Sequence, residues 1–420
     1  CLLSGGGSAL LPAPADGITL ADKLAVTRLL HRSGATIDEM NCVRKHLSRV
    51  KGGRLAAAFH GKLFVTLIVS DVVGDPLDVI ASGPTAPDPT TFADATAVLA
   101  RYGLIERVPA SVNALLARGE SETLKELPPH VMNHVIGSNR LALDAAARIA
   151  EARGYRVLDL GAFVEGETAA VATAVAGVVR SIRRDAKPLP PPACVLIGGE
   201  TTVTLGETPG RGGRNQEFVL ALMQKLAATP GGLAGVTVLS GGTDGEDGPT
   251  DAAGAVADAD TPTRAAALGL GAADALRRHD AYPFFAATGD LLTPGLTGTN
   301  VMDVRLRRSL LDPQRHDLAV ADRAAGRGER RRARQELVAE VADGDRDVHR
   351  RVRRDTVGAV VHHHRDLDRV LVHHPHRPLR RRRGRGPAGH RVRDAGDGAA
   401  RPAGRRAQRG GLQVVPHVGQ

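Results

Sequence analysis

The chain has 420 residues, and its net charge of +10 combines two regions of opposite character. Residues 1–306 hold 28 basic and 32 acidic residues, together with every cysteine and every aromatic residue. Residues 307–420 hold 28 arginines, no lysine, 14 acidic residues and 10 of the 16 histidines. The length is enough for two or three domains. No apolar run reaches about 18 residues, so we expect no membrane-spanning helix and no membrane partner.

The cysteines indicate a reducing compartment. Cys1, Cys42 and Cys194 are far apart and lack the spacing of a metal site. This usage is typical of a cytoplasmic protein without a disulfide framework. The chain begins with Cys1 and enters an apolar run at once, which we interpret as a truncated N-terminus. The alternative, a lipidated cysteine of a mature lipoprotein, would normally precede a polar tether.

Short apolar runs alternate with helical patterns along residues 1–306. The strand candidates are rich in Val, Ile and Leu, and they lie at 1–3, 63–69, 134–136, 156–160, 194–197, 236–239 and 301–306. Helical spacing of apolar residues marks 140–154 and 213–227. Strands of this kind are typical of parallel sheets covered by helices on both faces. We therefore predict an α/β fold of two Rossmann-like parallel-sheet domains with a cleft between them.

The composition also divides the chain. We predict an N-terminal α/β domain at 1–182, a charged and Pro-rich linker at 183–192 and a C-terminal α/β domain at 193–306. Residues 307–420 lack periodicity, aromatic residues and helix caps. We interpret this Arg-rich tail as disordered or as GC-rich coding sequence read out of frame. An alternative is nucleic-acid binding through the tail, which is not expected to be sequence-specific because no aromatic residue is present to stack on bases.

Several strand candidates end in loops of small or acidic residues. In open α/β sheets, ligands bind beyond the carboxyl ends of strands. Glycines allow a close backbone approach and can turn successive N–H groups toward an anion. Each loop alone is equally explained as a tight turn, but together they favour one ligand site. The candidates in these loops are Ser4, Gly5, Gly6, Gly7, Ser8, Asp71, Gly199, Glu200 and Thr201.

An acidic loop, SGGTDGEDGPTD, follows the strand candidate at 236–239. Carboxylates beside a bound phosphate would repel it unless they hold Mg²⁺ or accept a proton from an attacking hydroxyl. Asp244 and Asp247 are therefore the candidate metal ligands, and Thr243 is a candidate ligand-binding residue beside them. The alternative is that these residues form solvated turns.

Basic residues supply the opposite charge. Arg214 stands just before a predicted helix and after two glycines, so its guanidinium is free to grip phosphate or carboxylate in a bidentate manner. Asn215 and Gln216 follow it as further candidates, whereas Arg211 is expected to be solvated. Lys51 is a candidate for phosphate binding, with a solvated helix face as the alternative. These residues point to an α/β enzyme that handles a phosphorylated ligand with Mg²⁺.

Together the motifs resemble the ATP-dependent glycerate 2-kinases, whose C-terminal half is called the MOFRL domain. The resemblance spans residues 1–306 and is carried in order by SGGGSALL, SDVVGDPLDVIASGPT, GGETT, GGRNQE, GGTDGEDGPTD and TGTNVMD. It implies transfer of the γ-phosphoryl group of ATP to the 2-hydroxyl of D-glycerate, with Mg²⁺, between two α/β domains. It also implies that Arg214 and Asp244 are catalytic and that the loop at 4–8 binds nucleotide or substrate.

Two departures from the family pattern bear on activity. Family members carry a further N-terminal segment with a glycine-lysine motif, whose lysine acts on phosphate, and Met302 stands where a polar residue is usual. We therefore expect the chain as written to be inactive or unstable. Some family members are named hydroxypyruvate reductase, but this alternative requires a nicotinamide site and no G-x-G-x-x-G motif is present. Glycerate and a nucleotide are the expected partners, and a homodimer is an open expectation.

Overall fold

The computed structural model describes residues 1–309. Its helices are α1 (Gly7–Leu10), α2 (Leu20–Arg32), α3 (Ile37–His46), α4 (Arg54–Ala57), α5 (Phe92–Arg101), α6 (Ala110–Arg118), α7 (Asn139–Ala152), α8 (Thr168–Asp185), α9 (Arg214–Ala227), α10 (Thr261–Ala267), α11 (Ala272–Arg277) and α12 (Ala281–Thr288). Its strands are β1 (Leu2–Leu3), β2 (Phe64–Val69), β3 (Val131–Gly137), β4 (Arg156–Asp159), β5 (Gly166–Glu167), β6 (Ala193–Gly199), β7 (Thr201–Thr202), β8 (Val236–Gly242), β9 (Gly254–Ala257), β10 (Leu291–Leu292) and β11 (Asp303–Ser309). The alternation confirms the α/β class. Within this part of the chain, no helix has both the length and the apolar character needed to cross a membrane.

The N-terminal half contains a three-stranded parallel sheet in the order β1-β2-β3. Helices α2, α3, α5 and α6 bury their apolar faces against one another in a separate hydrophobic cluster. Three of these helices begin with a capping box, in which Thr19, Thr36 or Thr91 accepts a backbone N–H and an acidic residue three positions later returns the bond. Local sequence therefore sets where these helices start.

The second sheet has six strands in the order β10-β9-β8-β11-β6-β4. Alternate residues of β6 face opposite sides of the sheet. Val195 and Ile197 pack with α8 and α9, and Cys194 and Leu196 pack with α7. Both faces are thus covered by helices, which explains why β6 is a continuous apolar run without polar alternation.

This second sheet is mixed, which differs from the parallel arrangement expected from the sequence. β11 lies antiparallel between β6 and β8, and β9 is antiparallel to β8. An apolar run has the same composition in either direction, so the sequence pattern carries no information on strand direction. The register sets Asp303 opposite both Gly199 and Gly242. The amino end of β11 therefore lies at the same sheet edge as the carboxyl ends of β6 and β8.

Two expected boundaries also differ from the structure. Residues 183–185 belong to α8, and β4 pairs in parallel with β6, so the segment predicted as a linker connects elements that pack on one sheet. The domain division itself stays a prediction. At the C-terminal end, β11 continues to Ser309, past the expected start of the tail at 307. Backbone pairing depends on register more than on side-chain composition, and the rest of the predicted tail, 310–420, lies outside the described residues.

The strand candidates correspond to β1, β2, β3, β4, β6, β8 and β11, and both predicted helices correspond to α7 and α9. The sequence analysis missed β5, β7, β9 and β10. Each of these has two to four residues, too few for a period of two to be recognised. They form because neighbouring strands supply the hydrogen-bond partners.

Candidate functional site

Arg214 is the first residue of α9 and lies at the shared edge of β6, β8 and β11. Its Nε donates to Asp303 Oδ2 at 2.7 Å and its Nη2 donates to Asp303 Oδ1 at 3.1 Å. Its Nη1 lies 3.1 Å from Glu200 Oε1, and its side chain is 33% exposed. Burial opposes the charged guanidinium, but the Asp303 carboxylate and then Glu200 raise the pKa of Arg214 above its ordinary value. Arg214 therefore stays charged and keeps one accessible face.

Asp303 is the centre of this arrangement, and the sequence analysis did not select it. Its side chain is fully buried. Besides Arg214, it accepts hydrogen bonds from Asn215 Nδ2 at 2.8 Å and from Arg305 Nη2 at 2.8 Å. Arg305 is itself buried, with its guanidinium carbon 5.1 Å from the ring centre of Phe218. The signal was present, since Asp303 ends the TGTNVMD motif at the start of a strand, but its register was not readable from the sequence.

Asp247 caps α9. Its Oδ1 accepts the backbone N–H of Asn215 at 3.0 Å, and its Oδ2 accepts that of Gln216 at 2.8 Å. The side chain of Asp247 is buried, and this burial raises its pKa to about 7 against the effect of the two N–H bonds. Gly213, the residue before the helix, offers no capping side chain, so an acidic residue from another loop satisfies the free N–H groups.

The neighbours of Arg214 that the sequence selected are buried in this network. The Asn215 side chain bonds Asp303, and its Oδ1 accepts from Ser240 Oγ at 2.5 Å. Gln216 Nε2 donates to Thr250 Oγ1 at 2.9 Å. These hydrogen bonds account for the burial of both polar side chains without a ligand. The role of Asn215 and Gln216 in ligand binding stays a prediction.

Thr243 fixes the segment that leads into β11. Its N–H and Oγ1 both donate to Met302 O, at 3.0 and 2.7 Å, and its Oγ1 accepts the N–H of Val301 at 2.8 Å. Met302 is buried and adopts a positive φ of 66°. A residue without β-branching tolerates this left-handed conformation with moderate strain, and strained backbone of this kind is common at functional sites.

Asp244 is half-buried next to Thr243. Its Oδ1 accepts the N–H of Glu246 at 3.1 Å, as in a turn. A Cβ added at Gly242 would lie 3.0 Å from Asp244 Oδ1, and Gly242 is the ladder partner of Asp303. The structure therefore brings the two residues predicted to be catalytic, Arg214 and Asp244, to the same sheet edge.

Gly199, Glu200 and Thr201 lie at this edge, where β6 ends at Gly199 and β7 begins at Thr201. Gly199 has a φ of 109°, and a side chain there would overlap the backbone of Val164. Thr201 is buried and its Oγ1 accepts from Arg305 Nη2 at 2.8 Å. Glu200 is the most accessible of the three, with its side chain 42% exposed. Burial raises the pKa of Glu200, and the carboxylates of Asp303 and Asp71 raise it further. The positive charge of Arg214 acts in the opposite direction.

The glycine loop at 4–8 follows β1 in the other sheet. Ser8 Oγ lies 2.9 Å from Ser82 Oγ. Lys51 is 1% exposed, and its Nζ donates to Ser8 O at 2.8 Å and to Ala81 O at 3.3 Å. Burial, followed by the charge of Arg44, lowers the pKa of Lys51 to about 7. These contacts make Lys51 a support of the loop, and its predicted contact with phosphate stays a prediction.

Asp71 connects the glycine loop with the charged edge. It follows β2, the neighbour of β1, and a side chain at Gly5 would overlap its carboxylate. Burial raises the pKa of Asp71, and its charge acts on Glu200. Because Glu200 pairs with Arg214, Asp71 lies close both to the loop at 4–8 and to the Glu200–Arg214 ion pair.

Asn139 holds the two sheets together at this point. It begins α7 directly after β3, and its Nδ2 donates to Val301 O and Asp303 O, both at 2.8 Å. Its Oδ1 accepts the N–H of Gly199 at 3.1 Å. A residue at the start of α7 thus fixes the ends of two central strands of the second sheet, β6 and β11. This contact positions the backbone that carries Asp303 and Glu200.

The residues at this edge fit a divalent cation in part. No group of three or more His, Cys, Asp or Glu side chains suited to a metal occurs within residues 1–309. Asp247 does not fit as a ligand, because both of its oxygens accept helix N–H groups. Asp244 fits as a single carboxylate ligand. Mg²⁺ bound through one or two carboxylates and the substrate phosphates would suit this arrangement.

Comparison with known families gives two matches along the chain. Residues 1–117 match a domain of unknown function, DUF4147, and residues 193–303 match the MOFRL family. The MOFRL match contains β6, α9, β8 and the first residue of β11. It therefore includes every element that contributes to the Arg214–Asp303 pair.

Known proteins align with most of the described chain. A glycerate 2-kinase of Pyrococcus horikoshii is 43% identical over 307 residues, which is 72% of this chain and 68% of that protein. A protein of Agrobacterium vitis, provisionally named a hydroxypyruvate reductase, is 47% identical over 72% of this chain and 68% of its own length. The crystal structure of a glycerate kinase from Thermotoga maritima superposes with a TM-score of 0.69 at 39% identity, covering 74% of this chain and 72% of that one. With the MOFRL motifs and the charged sheet edge in place, this chain belongs to the glycerate kinase family.

Proposed function

We propose that this protein transfers the γ-phosphoryl group of ATP to the 2-hydroxyl of D-glycerate and forms 2-phosphoglycerate and ADP. The observation that carries the proposal is the Arg214 guanidinium, held by a buried carboxylate with one face accessible at the edge where both sheets meet. The names of the glycerate kinases it matches, at about two fifths identity, support the same reaction. The name of the Pyrococcus horikoshii relative, a glycerate 2-kinase, favours the 2-hydroxyl over the 3-hydroxyl as the acceptor, and identification of the product tests this choice.

Each residue has a role that follows from its charge. In phosphoryl transfer, the 2-hydroxyl oxygen bonds the γ-phosphorus while the bond to the β-phosphate oxygen breaks and ADP departs. Arg214 would neutralise the charge on the transferring phosphoryl oxygens. Asp244 would receive the hydroxyl proton or hold the hydroxyl in position. The glycine loop at 4–8 would bring backbone N–H groups to the nucleotide phosphates.

Mg²⁺, when bound with the nucleotide, supplies neutralisation of phosphate charge. Of the predicted metal ligands, we retain Asp244 and assign Asp247 to the helix cap. The expectations of a cytoplasmic location and a homodimer remain predictions.

The test uses the purified 420-residue chain with D-glycerate, ATP and Mg²⁺, with ADP release measured by a coupled assay and the product identified by phosphorus NMR. We expect 2-phosphoglycerate, and its formation would contradict the expectation from the sequence that the chain as written is inactive or unstable. Replacing Arg214 with Ala should lower kcat by about 100- to 1000-fold, since it removes one donor to the developing charge. The matched control is Arg211→Ala, because Arg211 lies on the loop just before α9 with its side chain 52% exposed.

Three results would contradict the proposal. These are formation of 3-phosphoglycerate, equal effects of the two arginine substitutions, and oxidation of NADH by hydroxypyruvate in place of ATP turnover. The last result would support the reductase alternative that the name of the Agrobacterium vitis relative suggests.

A further inference from the structure

Arg214 has two carboxylate partners, which differ in burial and in the number of bonds they make to the guanidinium. Asp303 is fully buried, binds Nε and Nη2 together, and is held in turn by Asn215 and Arg305. Glu200 meets Nη1 alone, at 3.1 Å, with its side chain 42% exposed. In the described part of the chain, no other side chain pairs with the Glu200 carboxylate. One partner is therefore built into the sheet, and the other is held by a single ion pair.

The surroundings of Glu200 also weaken its ion pair with Arg214. The Asp303 and Asp71 carboxylates both disfavour the negative charge of Glu200. A half-exposed ion pair in water is weak, usually below about 1 kcal/mol. A phosphoryl group carries more charge and more acceptor oxygens than a carboxylate, and it binds guanidinium with strong charge-assisted hydrogen bonds. An incoming phosphoryl group would therefore displace Glu200 more readily than Asp303.

We propose that Glu200 occupies the accessible face of Arg214 in the unliganded protein and leaves it when a phosphoryl group binds, while Asp303 keeps the guanidinium in position. Glu200 is thus a competitor for the phosphate site, and Asp303 is a positioning residue. The inference rests on the proposed function only in naming a phosphoryl group as the anion. The exposure of the Glu200 side chain, 42%, supports the exchange, since the carboxylate can turn from Arg214 into solvent.

The test measures binding without turnover. Inorganic phosphate and 2-phosphoglycerate are titrated by calorimetry into the full 420-residue chain. Glu200→Gln should tighten the binding of both ligands by about fivefold, because the neutral amide no longer competes for Arg214. Asp303→Asn should weaken binding by about tenfold or more, because the bidentate support of the guanidinium is lost. Glu207→Gln is the matched control, since Glu207 is exposed on the segment that follows β7, and it should change nothing.

The two substitutions should change phosphate affinity in opposite directions. A purely structural role of Glu200 would instead weaken binding in both variants. Weaker phosphate binding in Glu200→Gln would overturn it, as would the absence of phosphate binding in both the original chain and this variant. D-glycerate serves as a second arm. If its affinity changes by the same factor as that of phosphate, the site takes a carboxylate and the phosphoryl assignment is wrong. If phosphate shows the predicted shifts but no 2-phosphoglycerate is formed from glycerate, the inference stands and the proposed function fails.

Discussion

The glycine loop and the charged sheet edge use their ionic groups in opposite ways. At the loop, Lys51 is buried and directs its ammonium to the backbone carbonyls of Ser8 and Ala81. At the edge, Arg214 is held by the carboxylate of Asp303 and keeps a face toward solvent. A buried cation bonded to backbone carbonyls stabilises the conformation of a loop, whereas a partly exposed cation positioned by a buried carboxylate remains available to an anion. The partner of a charged group, more than its type, therefore indicates its role.

After Arg214→Ala, the largest expected effect distinguishes the roles of two aspartates of the acidic loop, Asp244 and Asp247. Asp244→Asn should lower kcat for glycerate by about 100-fold and raise the Mg²⁺ concentration needed, since the half-buried carboxylate at this sheet edge is lost. Asp247→Asn should leave kcat within a few-fold but lower the free energy of unfolding by about 1 kcal/mol, since one of two capped N–H groups loses its acceptor. Steady-state kinetics and urea unfolding test the pair, and the reverse assignment of effects would contradict our distinction.

A second substitution tests the support given by Lys51. Lys51→Met should lower the free energy of unfolding by about 1–2 kcal/mol at neutral pH, because the carbonyls of Ser8 and Ala81 lose a donor. The pKa of Lys51 is about 7 in the folded protein and near its ordinary value of about 10.4 when unfolded. Across this window the unfolded chain binds more protons, so the stability of the original chain rises with pH relative to the Met variant.

The measurement is urea unfolding of both proteins between pH 7 and pH 10. We expect the stability difference to widen as the pH rises. A difference that stays constant or narrows over this range would show that the folded protein keeps the ammonium charged.

A third substitution tests the loop itself. Gly5→Ala places a methyl group against the Asp71 carboxylate, so the loop must shift and KM for ATP should rise by about tenfold, an effect of about 1.4 kcal/mol. Gly206→Ala is the matched control, since no atom lies within 4 Å of the added group. Equal KM values in the two variants would show that the loop does not contact the nucleotide.

The smallest expected effect lies away from both regions, in the middle of α8. Gly177 is exposed, and an added Cβ would meet no atom within 4 Å. Gly177→Ala should raise the free energy of unfolding by about 0.5–1 kcal/mol, because alanine loses less backbone entropy in a helix. Thermal unfolding and kinetics should show greater stability with unchanged kcat. A change in kcat would indicate that α8 influences the sheet edge.

The sequence analysis predicted the helices and strands better than the contacts between their side chains. The loops after β1, β2, β6 and β8 were identified, and the structure brings Arg214 and Asp244 to one edge. Asp303 was missed because its importance depends on the register of β11. The metal role predicted for Asp247 does not fit, since the sequence does not reveal that this side chain reaches the first N–H groups of α9.

The amino-acid sequence by itself determined the α/β class, the capped starts of several helices and the glycine turns at strand ends. These features depend on residues within a few positions of one another, where periodicity and turn preferences act. Tertiary structure decided which charges meet. Asp303 is 89 residues from Arg214, and Lys51 is 43 residues from Ser8. Such partners are chosen by sheet order, strand direction and register, which arise from packing of the whole fold and not from any local pattern.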